Sequence, residues 1–229
     1  VEARAATVGL AGFIGNSGME GDRLLRVGDV LAGPCASGVA VDSDLTLWLS
    51  AVDAINRVAL DGSLIERHSI EPAGTRVDSP TFAVLGGRLY FLGRTPDRRL
   101  NLLELPMKPG GVARLTPVPV HTLSSCGLSA NPLEGKLVIA GERPGQAGIT
   151  VFLVDPAGDA LSEAFAVPGR YLKGVAVDPA RKTIYLGLDL DGPKIDARRP
   201  DGSAAIPGFP IPCMKTPAIP TQFRGVVSV

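Results

Sequence analysis

Short apolar runs of three to seven residues, broken by Gly, Pro and Asp-Gly pairs, follow one another along the chain. Runs this short, bounded by turn residues, predict β-strands rather than helices. From residue 38 they fall into groups of four. The first group is Val39–Val41, Leu45–Leu49, Arg57–Leu60 and Leu64–His68, with Asp61-Gly62 as the tight turn between the last two. Asp-Gly between apolar runs is a strong hairpin signal. The second group is Thr81–Val84, Arg88–Leu92, Leu100–Leu105 and Val112–Leu115. The third is Leu128–Ala130, Leu137–Ala140, Thr150–Val154 and Ala160–Ala166, turning at Asp155–Asp159. The fourth is Val175–Val177, Thr183–Leu186 and Lys194–Arg198, then an Asp201-Gly202 turn and a poor last strand.

The groups repeat in wording as well as rhythm. Gly-Val-Ala-Val-Asp occurs at Gly38–Asp42 and again at Gly174–Asp178, with weaker copies at Pro80–Val84, Gly127–Asn131 and Gly225–Val229. Their starts lie 42, 47, 47 and 51 residues apart, and the return through the termini to residue 38 takes 42 more. A period of about 40–50 residues with four strands each predicts an all-β fold, a β-propeller of four-stranded antiparallel blades. Thr7–Ile14 and Arg23–Val27, followed by Gly28-Asp29, match second and third strands and a turn, and Arg224–Val229 matches a first strand. These pieces predict a fifth blade closed by both chain ends, which would remove an exposed sheet edge. A fragment of a larger propeller is the alternative. The expectation is a single domain over residues 1–229.

Composition narrows the function classes. The 23 basic and 23 acidic residues cancel, so no global field steers the chain to nucleic acid or to a membrane surface. No apolar run reaches the length that spans a bilayer. Gly (28) and Pro (20) make about a fifth of the chain and punctuate the strands. The chain starts at Val1 rather than Met, consistent with a removed leader or a trimmed boundary. An extracytoplasmic setting is expected on that ground. Three cysteines without a CxxC are too few for a disulfide scaffold. Cys35 and Cys213 enter neighbouring blades of the expected ring; a disulfide between them and two free thiols both stay open.

The first repeat resembles an NHL-type propeller blade. Gly38–Asp42 is similar to that family's entry strand, Trp48 to its aromatic or apolar second-strand position, and Asp53, Asn56 and Arg57 to its Asp-x-x-Asn-x-Arg pattern, one residue tighter at the end. Gluconolactonase-like lactonases share the repeat style. The resemblance implies a propeller, and NHL propellers mostly bind proteins or RNA. The lactonase-like group implies a divalent metal held by Glu, Asn and Asp, opening with a Glu-Gly-Pro-like segment that this chain lacks.

Candidate chemistry is sparse. There is no Gly-x-Ser-x-Gly turn, no His pair at metal spacing and no phosphate-cradling Gly-rich loop. The inner strands carry no central Asp or Glu, which disfavours a glycosidase. Asp42 and Asp178 close their strands, as turn-satisfying Asp residues do. Asp189-x-Asp191-Gly192 reads as a turn, with a Ca²⁺ loop as the lesser alternative. His68 is expected as a solvated edge residue, and Trp48 as a core residue between blades. What remains is charge on one face, where the loops between blades meet the loops joining second and third strands. Arg76, Arg94, His121, Arg170, Lys173 and Arg224 are the candidate ligand-binding residues there. Asp78, Glu142 and Asp189 share that face, so a salt-bridged rim competes with a basic funnel for an anion. The expected function is a binding module for a protein partner or a small anionic ligand. A lactonase-like or other hydrolase acting at the axial mouth is the alternative. No catalytic residue, metal ligand or cofactor is assigned.

Overall fold

A computed structural model describes residues 39–42, 46–59, 63–78, 82–189 and 192–212. Four antiparallel sheets follow one another in chain order. The first holds β1 (Val39–Val41), β2 (Leu47–Ser50), β3 (Ala54–Val58) and β4 (Leu64–Ser69). The second holds β5 (Arg76–Val77), β6 (Ala83–Leu85), β7 (Arg88–Arg94), β8 (Leu100–Pro106) and β9 (Arg114–Leu115). The third holds β10 (Ser125–Asn131), β11 (Lys136–Glu142), β12 (Ile149–Val154) and β13 (Ser162–Val167). The fourth holds β14 (Arg170–Asp178), β15 (Thr183–Asp189), β16 (Pro193–Arg198) and β17 (Ile211–Pro212). Each sheet runs outward strand by strand, and the inner strands of the second, third and fourth sheets lie side by side. These are propeller blades.

Three apolar cores lie between the blades. Trp48 and Ile55 of the first blade pack on Leu89, Phe91, Leu103 and Leu105 of the second. Tyr90, Leu92 and Leu102 face Leu128, Leu137, Ile139 and Phe152 of the third. Val138, Ala140 and Val151 face Val175, Ile184 and Leu186 of the fourth. A middle strand is thus buried on both faces, and alternate residues feed different cores. That is why β7 and β11 read as unbroken apolar runs instead of the alternation of a half-exposed sheet. Outer strands such as β9 are exposed. Trp48 is fully buried between the first and second blades, as expected.

Several sequence expectations are corrected. The third strand of the first blade runs Ala54–Val58, not Arg57–Leu60, because Ala54 and Ile55 are buried and pair with β4. The inner strand of the second blade is split: β6 pairs with the start of β7, and β5 pairs with its end. The outer strand of that blade is only Arg114–Leu115. In the fourth blade the Asp201-Gly202 turn forms, but only an isolated bridge at Ala204 follows it, and the pairing outer strand is Ile211–Pro212.

His68 is not a solvated edge residue. It is buried, stacked 5.0 Å from the Trp48 ring, and its Nδ1–H donates to the Gly111 carbonyl at 2.8 Å. Beside it the Gly110 N–H donates to Glu66, and a parallel bridge joins Ile70 to Ala113. The outer strand of the first blade is therefore stitched to the second, and the imidazole faces that seam. The expected terminal strands, the Asp61-Gly62 turn, Cys35, Cys213 and Arg224 lie outside the described residues.

Candidate functional site

In the second, third and fourth blades the inner strand starts where its neighbour ends. The register pairs are Arg76 with Arg94, Ser125 with Glu142, and Arg170 with Asp189. These pairs mark one rim. The Val77 N–H donates to the Val52 carbonyl of the first blade at 3.1 Å. The Asp78 and Arg94 charges of the second blade both act on Cys126 of the third. The Tyr171 N–H of the fourth donates to Glu142 Oε1 of the third at 2.8 Å. The rim is thus continuous across four blades.

Its electrostatics depend on what each acid holds. Asp78 accepts from Arg94 Nε at 3.0 Å, so Arg94, expected as a free anion ligand, is already ion-paired. Arg143 pairs with Glu163 at 2.9 Å while its guanidinium lies over the Phe152 ring at 5.0 Å. Arg99 pairs with Asp97. Thr95 donates to Asp97, and this hydrogen bond is the first reason that the carboxyl sits below its ordinary range. Glu142 and Asp189 grip backbone instead: Glu142 takes the Tyr171 N–H, and Asp189 Oδ1 takes the Gly192 N–H at 3.0 Å. Arg76, Arg98 and Arg170 are exposed and have no ion-pair partner among the described residues.

The structure therefore brings Arg76, Arg94 and Arg170 to the rim, of which Arg76 and Arg170 have no ion-pair partner among the described residues. His121 is exposed on a single 3-10 turn, Val120–Thr122, anchored by buried Val120. No described contact joins its imidazole to the arginines. Lys173 lies in β14. Two features escaped the sequence reading. Arg98, not among the candidates singled out above, stands exposed in a turn with no ion-pair partner among the described residues. Tyr171 sits in an interruption of β14, where residues 171–173 stand between the 170–189 and 174–187 pairs. Gly169, two residues upstream, was the only local hint of that break.

Below the rim, burial pushes the Cys126 thiol up to about 12, with Asp78 adding to the rise and Arg94 opposing it. The residue is half-buried overall, but its thiol is enclosed. No three His, Cys, Asp or Glu side chains gather to hold an ion among the described residues.

Solved structures confirm the architecture. A chain of the nidogen–laminin complex superposes with a TM-score of 0.54 at 15% identity, covering 72% of this chain and 60% of that one. The gluconolactonase of Xanthomonas campestris gives 0.54 at 21% identity, covering 73% and 60%. Kuenenia stuttgartiensis hydrazine synthase gives 0.54 at 15% identity, covering 74% and 54%. The protein is a β-propeller, distantly similar in fold to these three. At such identities the likeness is one of fold, which hosts many functions. The chain spans only 54% to 60% of their lengths. No protein-family model and no curated protein sequence matches it.

Proposed function

We propose that this propeller is a binding module whose rim captures a small organic polyanion. The observation behind the reading is the state of Arg170. Its cross-strand neighbour is Asp189, and Glu142 lies on the adjacent blade, yet both carboxylates are turned onto backbone N–H groups. The exposed guanidinium has no ion-pair partner among the described residues. Arg76 has no ion-pair partner among the described residues either, and Asp78, two residues on, holds Arg94. A guanidinium fork matches the geometry of a carboxylate.

Calorimetric titration with citrate at low salt tests this. Citrate should bind, weaken as salt screens the rim, and lose about 1.5–3 kcal/mol in Arg170→Ala, the range for a charged hydrogen bond. Absence of binding, or equal binding by the variant, would overturn the reading. No helix among the described residues is long and apolar enough to cross a membrane. A single 1–229 domain and an extracytoplasmic setting remain companion proposals.

A further inference from the structure

We infer that the second blade carries an oxyanion subsite at Arg76 and Arg94, shaped for the phosphate group of a small phosphomonoester rather than for a carboxylate. This rests on the anion-binding reading above and adds the ligand's chemical class. Arg76 and Arg94 are register partners of β5 and β7. The ladder continues with the Asp78 N–H on the Leu92 carbonyl at 2.9 Å. Arg76, Asp78, Arg94 and Leu92 therefore share one face of the blade. Leu92 identifies that face, since it belongs to the core with the third blade. Side chains directly opposite across a strand pair start about 5 Å apart, and like charges so placed repel. Asp78 offsets only one of the two cations, accepting from Arg94 Nε at 3.0 Å. Arg76 is exposed without an ion-pair partner among the described residues, so the face keeps a net positive charge. Arg94 is also held in place by its own hairpin. Its Nη1 donates to the Arg98 carbonyl at 3.4 Å, in a turn closed by the Arg98 N–H on the Thr95 carbonyl at 2.7 Å. The donors on its Nη2 have no partner among the described residues.

A carboxylate presents one planar edge, which fits a single guanidinium fork, and Asp78 already stands against Arg94 in that way. A phosphate group presents three acceptor oxygens around one centre. It can fill the Arg76 fork with two and reach Arg94 Nη2 with the third, and its second charge meets the second cation. Calorimetry on the full chain, at about pH 8 and constant ionic strength, compares methyl phosphate with malonate, both dianions there. Methyl phosphate should bind roughly tenfold tighter, the worth of one charged hydrogen bond. Arg76→Gln should abolish that preference, and Arg76→Lys, which keeps the charge without the fork, should fall between. Without ligand, Arg76→Gln should melt no lower than the parent, because a repelling pair is relieved. A lower melting temperature contradicts the repulsion on which the subsite rests. Malonate binding as tightly as methyl phosphate overturns the subsite, as does methyl phosphate held equally by Arg76→Gln. Binding of citrate but not of methyl phosphate overturns the subsite and leaves the anion-binding reading standing. Failure of methyl phosphate, malonate and citrate alike overturns that reading itself.

Discussion

At the residue scale, two buried weak acids couple the fold to alkaline pH. Cys126 and Tyr90 both belong to the core between the second and third blades. Burial raises the Cys126 thiol from 9.0 to about 12. It also raises the Tyr90 phenol above 10.0, with Glu104 and Asp155 adding and Arg88 opposing. The folded state keeps both protons at pH values where the unfolded chain has released them. The stability that depends on keeping the Cys126 proton is therefore complete below pH 9.0 and is lost as pH rises toward about 12. Urea unfolding at several pH values across that window should show a falling free energy. Cys126→Ala should show a shallower fall, and an identical slope in the variant would remove Cys126 from the account. His68 carries a lesson at the same scale. Its strand is the outermost of its blade and exposed for most of its length, so a polar side chain there reads as solvated. The seam that buries it is made with Gly110 and Gly111, some 40 residues on, and no local pattern announces it.

At the element scale, middle strands were the most legible and interrupted inner strands the least. Strands β7, β8, β11 and β12 were placed within two residues, because both their faces are apolar. The entry strand of the second blade was misplaced, because its pairing is divided between β5 and β6. The break in β14 was invisible for a similar reason, since Arg-Tyr-Leu-Lys reads as loop. Gly93 ties the split strand to its blade. A Cβ added there would lie 2.8 Å from Leu103 Cδ1 and 3.1 Å from the Arg76 carbonyl. Leu103 is fully buried and has little room to move. Gly93→Ala should cost about 1–3 kcal/mol, the range for overpacking, and should weaken citrate binding by displacing Arg76. A fully stable variant with parental affinity would show that β5 yields without consequence.

At the scale of the whole molecule, the repeat of Gly-Val-Ala-Val-Asp marked the architecture, and the propeller neighbours agree with it. The site was less legible. Position along the repeat pointed to Arg76, Arg94 and Arg170, which lie in register pairs at one rim, but which of them is ion-paired is a matter of side-chain choice. Asp78 pairs with Arg94, while Glu142 and Asp189 turn to amides. Closure of the ring by a fifth blade remains our proposal. Its test is deletion of residues 224–229, which should lower the melting temperature in a single cooperative transition; an unchanged transition would contradict closure by that segment.

The most direct test of the rim as an anion site is a crystal structure of the protein soaked in selenate, read from the anomalous signal. The account predicts selenate against the Arg170 or Arg76 guanidinium, and loss of the Arg170 peak in Arg170→Ala. Anions bound only elsewhere on the surface, with both guanidiniums bare, would contradict it.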